Sequence, residues 1–469
     1  MQRKFAQRSA AMVVGLGLVG AACGSSSGSG STPTTAKAQA TTVAAATTTA
    51  AAATTTAAAG ATTTAGAAGG KAGALAGFKG TTPLVKLSDD FQKKLKEVDP
   101  KLTDVNYAAE TYDAITVIAL AVEQAKTDGV EFASKINGIT KGGEKCTSFK
   151  QCDDLIKAGK DVDYDGVSGP IEFNGNGEPL SASYGVQIMG TNNQLDDTKT
   201  TYKLAKAPAS ATVPDTPVEG TRKGDGVLKI GSILPQTGSL AFLGPPEFAA
   251  FDLAIKDINA AGGVLGKPVE SSKGDSGDAT TDTVNQTTDR LLGENVDAII
   301  GAASSGVSLK VIDKITAAGV VQFSPANTSD KLSAYPDKGL YFRTAPPDVL
   351  QGAVIADIVV SDGAKNVAII ARNDAYGTGL AGVAEKGITD GGGKVVYKKI
   401  YDEKQEKFTT EAGEIKAATP DAIIVIGFDE SSKILAALVE AGIGPTKVKT
   451  YGCDGNIGNA LGKNFNEGK

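Results

Sequence analysis

An α/β fold built on a parallel, doubly wound sheet is what the sequence predicts, on three observations. From residue 227 onward, short apolar runs alternate with amphipathic runs at helical spacing. Loops rich in Gly, Pro, Ser, Asn and Asp separate them. The stretch that opens the pattern, residues 226–268, is already a complete strand–loop–helix unit. Its strand is 227–234, bounded by Gly226 and Pro235, and its loop is 235–246. In the helix, Phe248, Phe251, Ile255 and Ile258 share one face and Asp252, Lys256 and Asp257 the other, until Gly262-Gly263 stops it. The unit starts almost halfway along a chain of 469 residues, which leaves the first half to be explained.

Taken in order, the chain opens with Arg3, Lys4 and Arg8 ahead of a short apolar stretch, 10–22, that ends in small residues. That is the pattern of an export signal, too short to be a spanning helix. Gly20-Ala21-Ala22-Cys23 resembles the lipobox of bacterial lipoproteins, in which the cysteine is lipidated and becomes the new amino terminus. Gly20 stands where such signals usually carry Leu, and ordinary cleavage near Ala22 is the alternative. A lipidated Cys23 would anchor the protein to the outer face of a membrane without spanning it. Residues 24–72 are Gly, Ser, Ala and Thr with almost no charge. Such a composition does not offset its ordering entropy, and a disordered tether is expected.

Residues 73–205 form a first globular segment. A helix is expected over 104–125, with Tyr107, Tyr112, Ile115, Ile118, Leu120 and Val122 on its apolar faces, and a weaker one over 153–158. Strands are expected at 75–79, 167–173 and 184–189. These elements are too few to close a core. Asp161, Asp163, Asp165, Gly166 and Glu172 match a calcium-loop pattern, but Gly169-Pro170 interrupts it and Asn174 to Gly177 leaves no exiting helix. A turn leading into a strand is the expectation there. Cys146 and Cys152 are close enough for a small disulfide loop, which export favours. With Cys23 lipidated, Cys453 is left as a free thiol. Residues 206–225, rich in Pro, Ala and Thr, read as a linker able to span up to about 65 Å when extended.

In residues 226–469, further strands are expected at 297–301, 320–324, 366–371, 394–401, 421–427 and 448–452. Helices lie between them, among them 309–317, 353–360 and 432–441. Ligands of such sheets bind outside the carboxyl ends of the strands. Those ends carry Gln236 to Ser239, Ala302 to Gly306, Ser324 to Thr328, Arg372 to Gly377 and Gly452 to Gly455. Hydroxyls at open helix amino termini suit a carboxylate, and Asp454 suits an ammonium group. Each residue alone is an ordinary turn former. Their recurrence at successive strand ends points to a site.

These residues resemble the type I periplasmic binding proteins of the branched-chain amino acid and amide ABC importers. The matching stretches are ILPQTG at 233–238, AIKDINAAGG at 254–263, FSPANT at 323–328, FRT at 342–344 and NDAYG at 373–377. The resemblance implies two doubly wound α/β lobes, joined by a hinge, that close on a ligand. Carried over by position, Ser305, Ala326 and Thr328, with Ser304 beside them, would hold the ligand carboxylate. Tyr376 and Asp454 would come from the other lobe, Asp454 taking the ammonium. Leu243 falls where the family often places an aromatic over the side-chain pocket, which opens the side-chain preference. Ser304 stands where some relatives carry a Cys, so the disulfide known there does not form. GFKGTTP at 77–83, YAAETYDA at 107–114 and YDGVSGPIEF at 164–173 resemble the family's carboxyl-terminal third, yet here they precede the first strand. The order implies a circularly permuted chain, in which 73–205 is that third and 226–469 the first two thirds. A truncated binding protein beside an unrelated small domain is the rival.

Composition excludes several classes. A net charge of −6 argues against nucleic acid, and there is no His and no Trp. Ser-His-Asp and Cys-His chemistry is therefore out of reach, no metal cluster is visible, and no residue pair suggests a reaction. The expected function is an extracytoplasmic receptor, needing no cofactor, that delivers a small amino acid or amide to ABC permease subunits. A ligand-sensing ectodomain signalling to a membrane partner is the alternative.

Overall fold

The computed structural model describes residues 71–208 and 212–468; the export signal, Cys23 and nearly all of the expected tether lie outside them. The first segment contains β1 (Lys79–Pro83), α1 (Asp89–Val98), α2 (Ala108–Ala125), α3 (Ile136–Ile139) and β2 (Glu144–Cys146). It continues with α4 (Phe149–Lys157), β3 (Val162–Gly166), β4 (Gly169–Pro170), β5 (Ser181–Ile188) and β6 (Thr201–Lys206). The second begins with β7 (Lys229–Leu234), α5 (Gly244–Ala260), β8 (Glu270–Asp275), α6 (Thr283–Gly293), β9 (Ala298–Gly301), α7 (Ser305–Ala317), β10 (Val321–Ser324) and β11 (Tyr341–Arg343). It ends with α8 (Asp348–Ser361), β12 (Asn366–Arg372), α9 (Ala375–Asp390), β13 (Lys394–Tyr401), α10 (Thr409–Ala417), β14 (Ala422–Ile426), α11 (Ser431–Glu440), β15 (Lys449–Gly452) and α12 (Asn459–Glu467).

Two main sheets result. One has five parallel strands in the order β11-β10-β9-β7-β8. The other has seven, β13-β12-β14-β15-β1-β5-β6, parallel as far as β1 and antiparallel beyond it. Central strands such as β14, AIIVI, are buried along their whole length, as a parallel sheet covered on both faces requires. β1, from the start of the described chain, pairs in parallel with β15, from its end: Lys79 lies opposite Tyr451 and Gly80 opposite Gly452.

Helix α2 goes to the other lobe. Ile115, Ile118, Leu120 and Val122 are fully buried in one core with Ile230 of β7, Phe251 of α5 and Phe323 of β10. Each such side chain contributes about 1.5–3 kcal/mol on burial. Its stability thus comes from a sheet and a helix much further along the chain. The first segment therefore splits, its helices α1 to α4 joining the five-stranded lobe and β1, β5 and β6 the seven-stranded one. The chain crosses between lobes four times: β1 to α1, β4 to β5, β6 to β7 and β11 to α8.

From Val213 to Arg222 the linker is docked rather than free. Gly175 donates to Val213 O (3.2 Å), Thr216 to Gly175 O (3.1 Å), Glu219 to Lys338 O (2.9 Å) and Val130 to Arg222 O (3.1 Å). Arg222 also pairs with buried Asp297. A Cβ at Gly175 would stand 1.9 Å from Pro214 O, so the close approach of the strap requires glycine there.

Several expected elements shift. The strand expected at 75–79 is a turn followed by β1. The helix expected from 104 starts at Ala108, after Tyr107 in the left-handed region (φ 60°). The strand expected over 167–173 shrinks to Gly169–Pro170, because buried Asp113 of α2 gathers the chain into a turn. Its carboxylate accepts from Tyr164 Oη (2.7 Å), Val167 N (3.0 Å) and Ser168 N (2.7 Å). Of the acids in the calcium-loop pattern, Asp163 and Asp165 pair with Lys145 at 3.0 and 2.9 Å. Cys146 and Cys152 are disulfide-bonded, with Cα atoms 5.4 Å apart, and Cys453 is a buried free thiol.

Glu110 and Glu247, on the first turns of α2 and α5, are both buried, and neither Glu247 carboxylate oxygen has a hydrogen-bond partner. Burial, with the Asp113 charge behind it, pushes Glu110 up to about 8. Burial and then Glu110 raise Glu247 well above the carboxylate range. A raised folded value means that stability is full below the unfolded pKa and is lost as pH rises through about 8. One such proton costs up to ~1.4 kcal/mol per pH unit across that window. Glu110→Gln should therefore unfold at a higher temperature than wild type at pH 9 and differ little at pH 5. Melting curves across pH check this; a variant less stable than wild type at pH 9 contradicts it.

Candidate functional site

The site is built from the carboxyl ends of the strands. β9 ends at Gly301, and Ser304 then caps α7, its Oγ accepting from Val307 N at 3.4 Å. At the end of β10, Ser324 Oγ donates to Ala302 O (2.7 Å), and beyond it Asn327 Nδ2 donates to Ala302 O and Ala303 O (2.9 and 2.8 Å). These bonds lock two strand-end loops together. Ser305 Oγ accepts from Thr328 N and Ser329 N at 3.3 and 3.2 Å, which brings Ser305 and Thr328 side by side at the amino end of a helix. That is where a carboxylate is favoured.

From the other lobe come Tyr376 on the first turn of α9 and Asp454 after β15. Tyr376 Oη donates to Asp454 Oδ1 at 2.8 Å, and Tyr107 Oη, from the start of α2, donates to Asp454 Oδ2 at 2.6 Å. Burial raises the Asp454 pKa while the two phenols oppose the shift. Phe428, after β14, stacks on Tyr376 at 5.5 Å between centroids and carries the Arg372 guanidinium 3.8 Å over its ring. Gly455 is needed where it is: a Cβ would meet Gly427 O at 2.7 Å and Tyr376 Oη at 3.0 Å.

All seven residues expected at the site, Leu243, Ser304, Ser305, Ala326, Thr328, Tyr376 and Asp454, line one cavity between the lobes. Five more line it that sequence reasoning missed: Tyr107, Leu240, Ala303, Phe428 and Gly455. Periodicity places Tyr107 on an apolar helix face, and the left-handed backbone that precedes the helix leaves no local signal. The cavity holds about 10 Å³, room for roughly one water. The lobes meet directly around it: Ser329 Oγ donates to Ala375 O (2.8 Å) and Asp429 N to Ser239 O (3.3 Å). An amino acid would need the lobes to part. Larger spaces exist, about 180 Å³ beneath the linker and about 720 Å³ along β6 and α8, but no strand ends converge on them. The Ala326 N–H donates to Ser324 Oγ at 3.2 Å, within its own loop.

Among the described residues no group of three or more Cys, Asp or Glu is placed to hold a metal ion, and no helix is long and apolar enough to cross a membrane.

A family model described as periplasmic binding protein matches residues 227–467, just over half of the chain. A second, described as receptor family ligand binding region, matches residues 36–192. The Leu/Ile/Val-binding protein homolog 3 of Brucella melitensis is 28% identical over 254 residues, 52% of this chain and 67% of the relative. The Leu/Ile/Val/Thr-binding protein of Salmonella typhimurium is 27% identical over 218 residues, 46% of this chain and 59% of that one. Among solved structures, the branched-chain amino acid transporter substrate binding protein LivJ of Streptococcus pneumoniae, in complex with isoleucine, is 29% identical. That match covers 51% of this chain and 67% of LivJ, with a TM-score of 0.46. This chain spans about three fifths to two thirds of the length of these relatives.

Proposed function

We propose that this chain, which belongs to the periplasmic binding protein family, is an extracytoplasmic receptor that closes on a small amino acid or amide and hands it to ABC permease subunits. The observation that carries the reading is the polarity of the cavity. Neutral hydroxyls and a helix amino terminus stand on one side and a buried carboxylate with two phenols on the other, the complement of a zwitterion. The names of the relatives as Leu/Ile/Val-binding proteins support a branched-chain amino acid as first candidate. A thermal-shift panel of amino acids, amides and small carboxylates tests it. A ligand at a hundred times its Kd should stabilise the fold by about 2.7 kcal/mol. No shift with any of them, on protein freed of ligand by unfolding and refolding, counts against the proposal.

Circular permutation is part of the reading, supported by the pairing of β1 with β15 and by the shared core of α2 and α5. A gene reordered so that 226–468 precedes 73–205 should give a soluble protein with the same ligand preference; an insoluble product would oppose it. Anchoring through Cys23 is likewise proposed, from the lipobox-like residues, and Cys23→Ser should release the protein from membranes. The match of residues 36–192 to a receptor ligand-binding family favours a second reading, a sensing ectodomain. What co-purifies from membranes, permease subunits or a signalling partner, separates the two.

A further inference from the structure

Strand β6 closes the seven-stranded sheet at one end, and no strand lies beyond it. Its pairing with β5 fixes which way each backbone group points. Ala207 N donates to Leu180 O at 2.8 Å, and the antiparallel register sets Ala205 opposite Ala182 and Lys203 opposite Tyr184. Hydrogen-bonded pairs alternate along such a ladder, so Thr201, Lys203 and Ala205 turn their N–H and C=O toward β5, and Tyr202, Leu204 and Lys206 turn theirs to the open edge. The same edge is apolar. Leu204 is 78% exposed, more than any other large apolar residue among the described ones, with Val349 on the first turn of α8 at 46% and Tyr202 at 44%. The groove of about 720 Å³ runs between β6 and α8. The other outer strands of the two main sheets lack this combination. β8, ESSKGD, has no large apolar residue, and β13 carries Lys394, Lys398 and Lys399. β11 is buried, and its Arg343 N donates to Gly177 O at 2.9 Å. An open edge with exposed apolar side chains is a template for another strand.

We propose that β6 is a dimerisation edge, on which a second copy of this chain lays its own β6 antiparallel, about a two-fold axis normal to the sheet at Leu204. A closed two-fold contact must be self-complementary, and this register is. Leu204 meets the partner's Leu204 as a hydrogen-bonded pair, Tyr202 meets the partner's Lys206 as a ring beneath a cation, and Lys203 meets the partner's Ala205. Centring the axis one residue earlier would set Lys203 on its own copy, and like charges directly opposite are destabilising. Centring it one residue later would leave Leu204 against a lysine. Lys203, which could otherwise blunt the edge, is drawn aside to Asp357 of α8. An axis normal to the sheet keeps both grooves on one face of the joined sheets, side by side. Because β6 and α8 both pack in the seven-stranded lobe, the contact leaves the five-stranded lobe free to move.

Sedimentation velocity of the full chain over a concentration series tests this. Wild type should pass from monomer to dimer as concentration rises. Leu204→Lys, which sets two ammonium groups face to face at the axis, should weaken the dimer at least about a hundredfold. Because Leu204 is largely exposed, that variant should keep the ligand-free melting temperature of wild type. The register has its own check. Leu204→Cys should give a covalent dimer on air oxidation, since a hydrogen-bonded antiparallel pair has Cα atoms about 5.5 Å apart, within reach of a disulfide. Tyr202→Cys, whose counterpart stands opposite Lys206 and out of reach, should cross-link no more than wild type, which already carries Cys23 and Cys453. A wild type that stays monomeric at every concentration overturns the proposal, and so does a dimer that Leu204→Lys leaves as tight as before. If wild type is monomeric and Leu204→Lys instead loses a protein that co-purifies with wild type from membranes, the edge serves a different partner and the proposal fails. Cross-linking of Tyr202→Cys in place of Leu204→Cys overturns the register. None of these outcomes bears on the receptor reading.

Discussion

Asp454→Asn is expected to weaken amino acid binding by about 2–5 kcal/mol, because it removes one member of a charge pair that closure buries. The residue is 4% exposed, and its oxygens already accept from Tyr107 and Tyr376 at 2.6 and 2.8 Å. Asn keeps the shape but turns one acceptor into a donor facing a phenol, so the loss combines a missing charge with a donor set against a donor. Titration calorimetry against the ligand found in the thermal-shift panel measures it. Affinity unchanged for an amine-bearing ligand would remove Asp454 from the site. Because Tyr107 lies in the first segment and Asp454 near the end of the chain, Tyr107→Phe should show a smaller loss in the same direction.

Arg343→Met is expected to destabilise the protein by about 3–5 kcal/mol, the usual cost of stranding one partner of a buried ion pair. Arg343 and Glu178 are 1% and 6% exposed as residues, and the guanidinium also holds the carbonyls of Asn327 and Ser329 at 3.2 and 3.0 Å. Those carbonyls flank Thr328, so the variant should lose ligand affinity as well as stability. Denaturant titration checks the first effect and calorimetry the second. Adding Glu178→Leu should recover part of the stability, since an apolar pair leaves no unpaired charge, but not the affinity, because the loop carbonyls stay without their donor. A double variant no more stable than Arg343→Met would mean that the loop bonds, not the ion pair, carry the cost.

How far the site could be read from residues alone depends on what each residue's role requires. Ser304, Ser305, Thr328 and Asp454 sit at strand ends that local periodicity reveals, with side chains whose chemistry is plain. Tyr107 and Phe428 were missed because an aromatic just before a helix looks the same in sequence whether it packs in a core or faces a cleft. Strands β6 and β8, TYKLAK and ESSKGD, escaped for a related reason. They lie at sheet edges, largely exposed, so backbone pairing makes them strands without an apolar run to mark them.

The sequence by itself determined the alternation of strands and helices, the hydrogen-bonding chemistry at the strand ends and the proximity of Cys146 to Cys152, all of which are encoded over a few neighbouring residues. Only the tertiary structure decided where the first segment goes. Its strands complete one sheet beside β15 and its helix α2 completes the core of the other lobe. It also set Tyr107 against Asp454, whose Oδ2 accepts from the phenol at 2.6 Å. Both are matters of partners more than a hundred residues apart, and neither a pairing register nor a long-range hydrogen bond leaves a trace in the residues nearby.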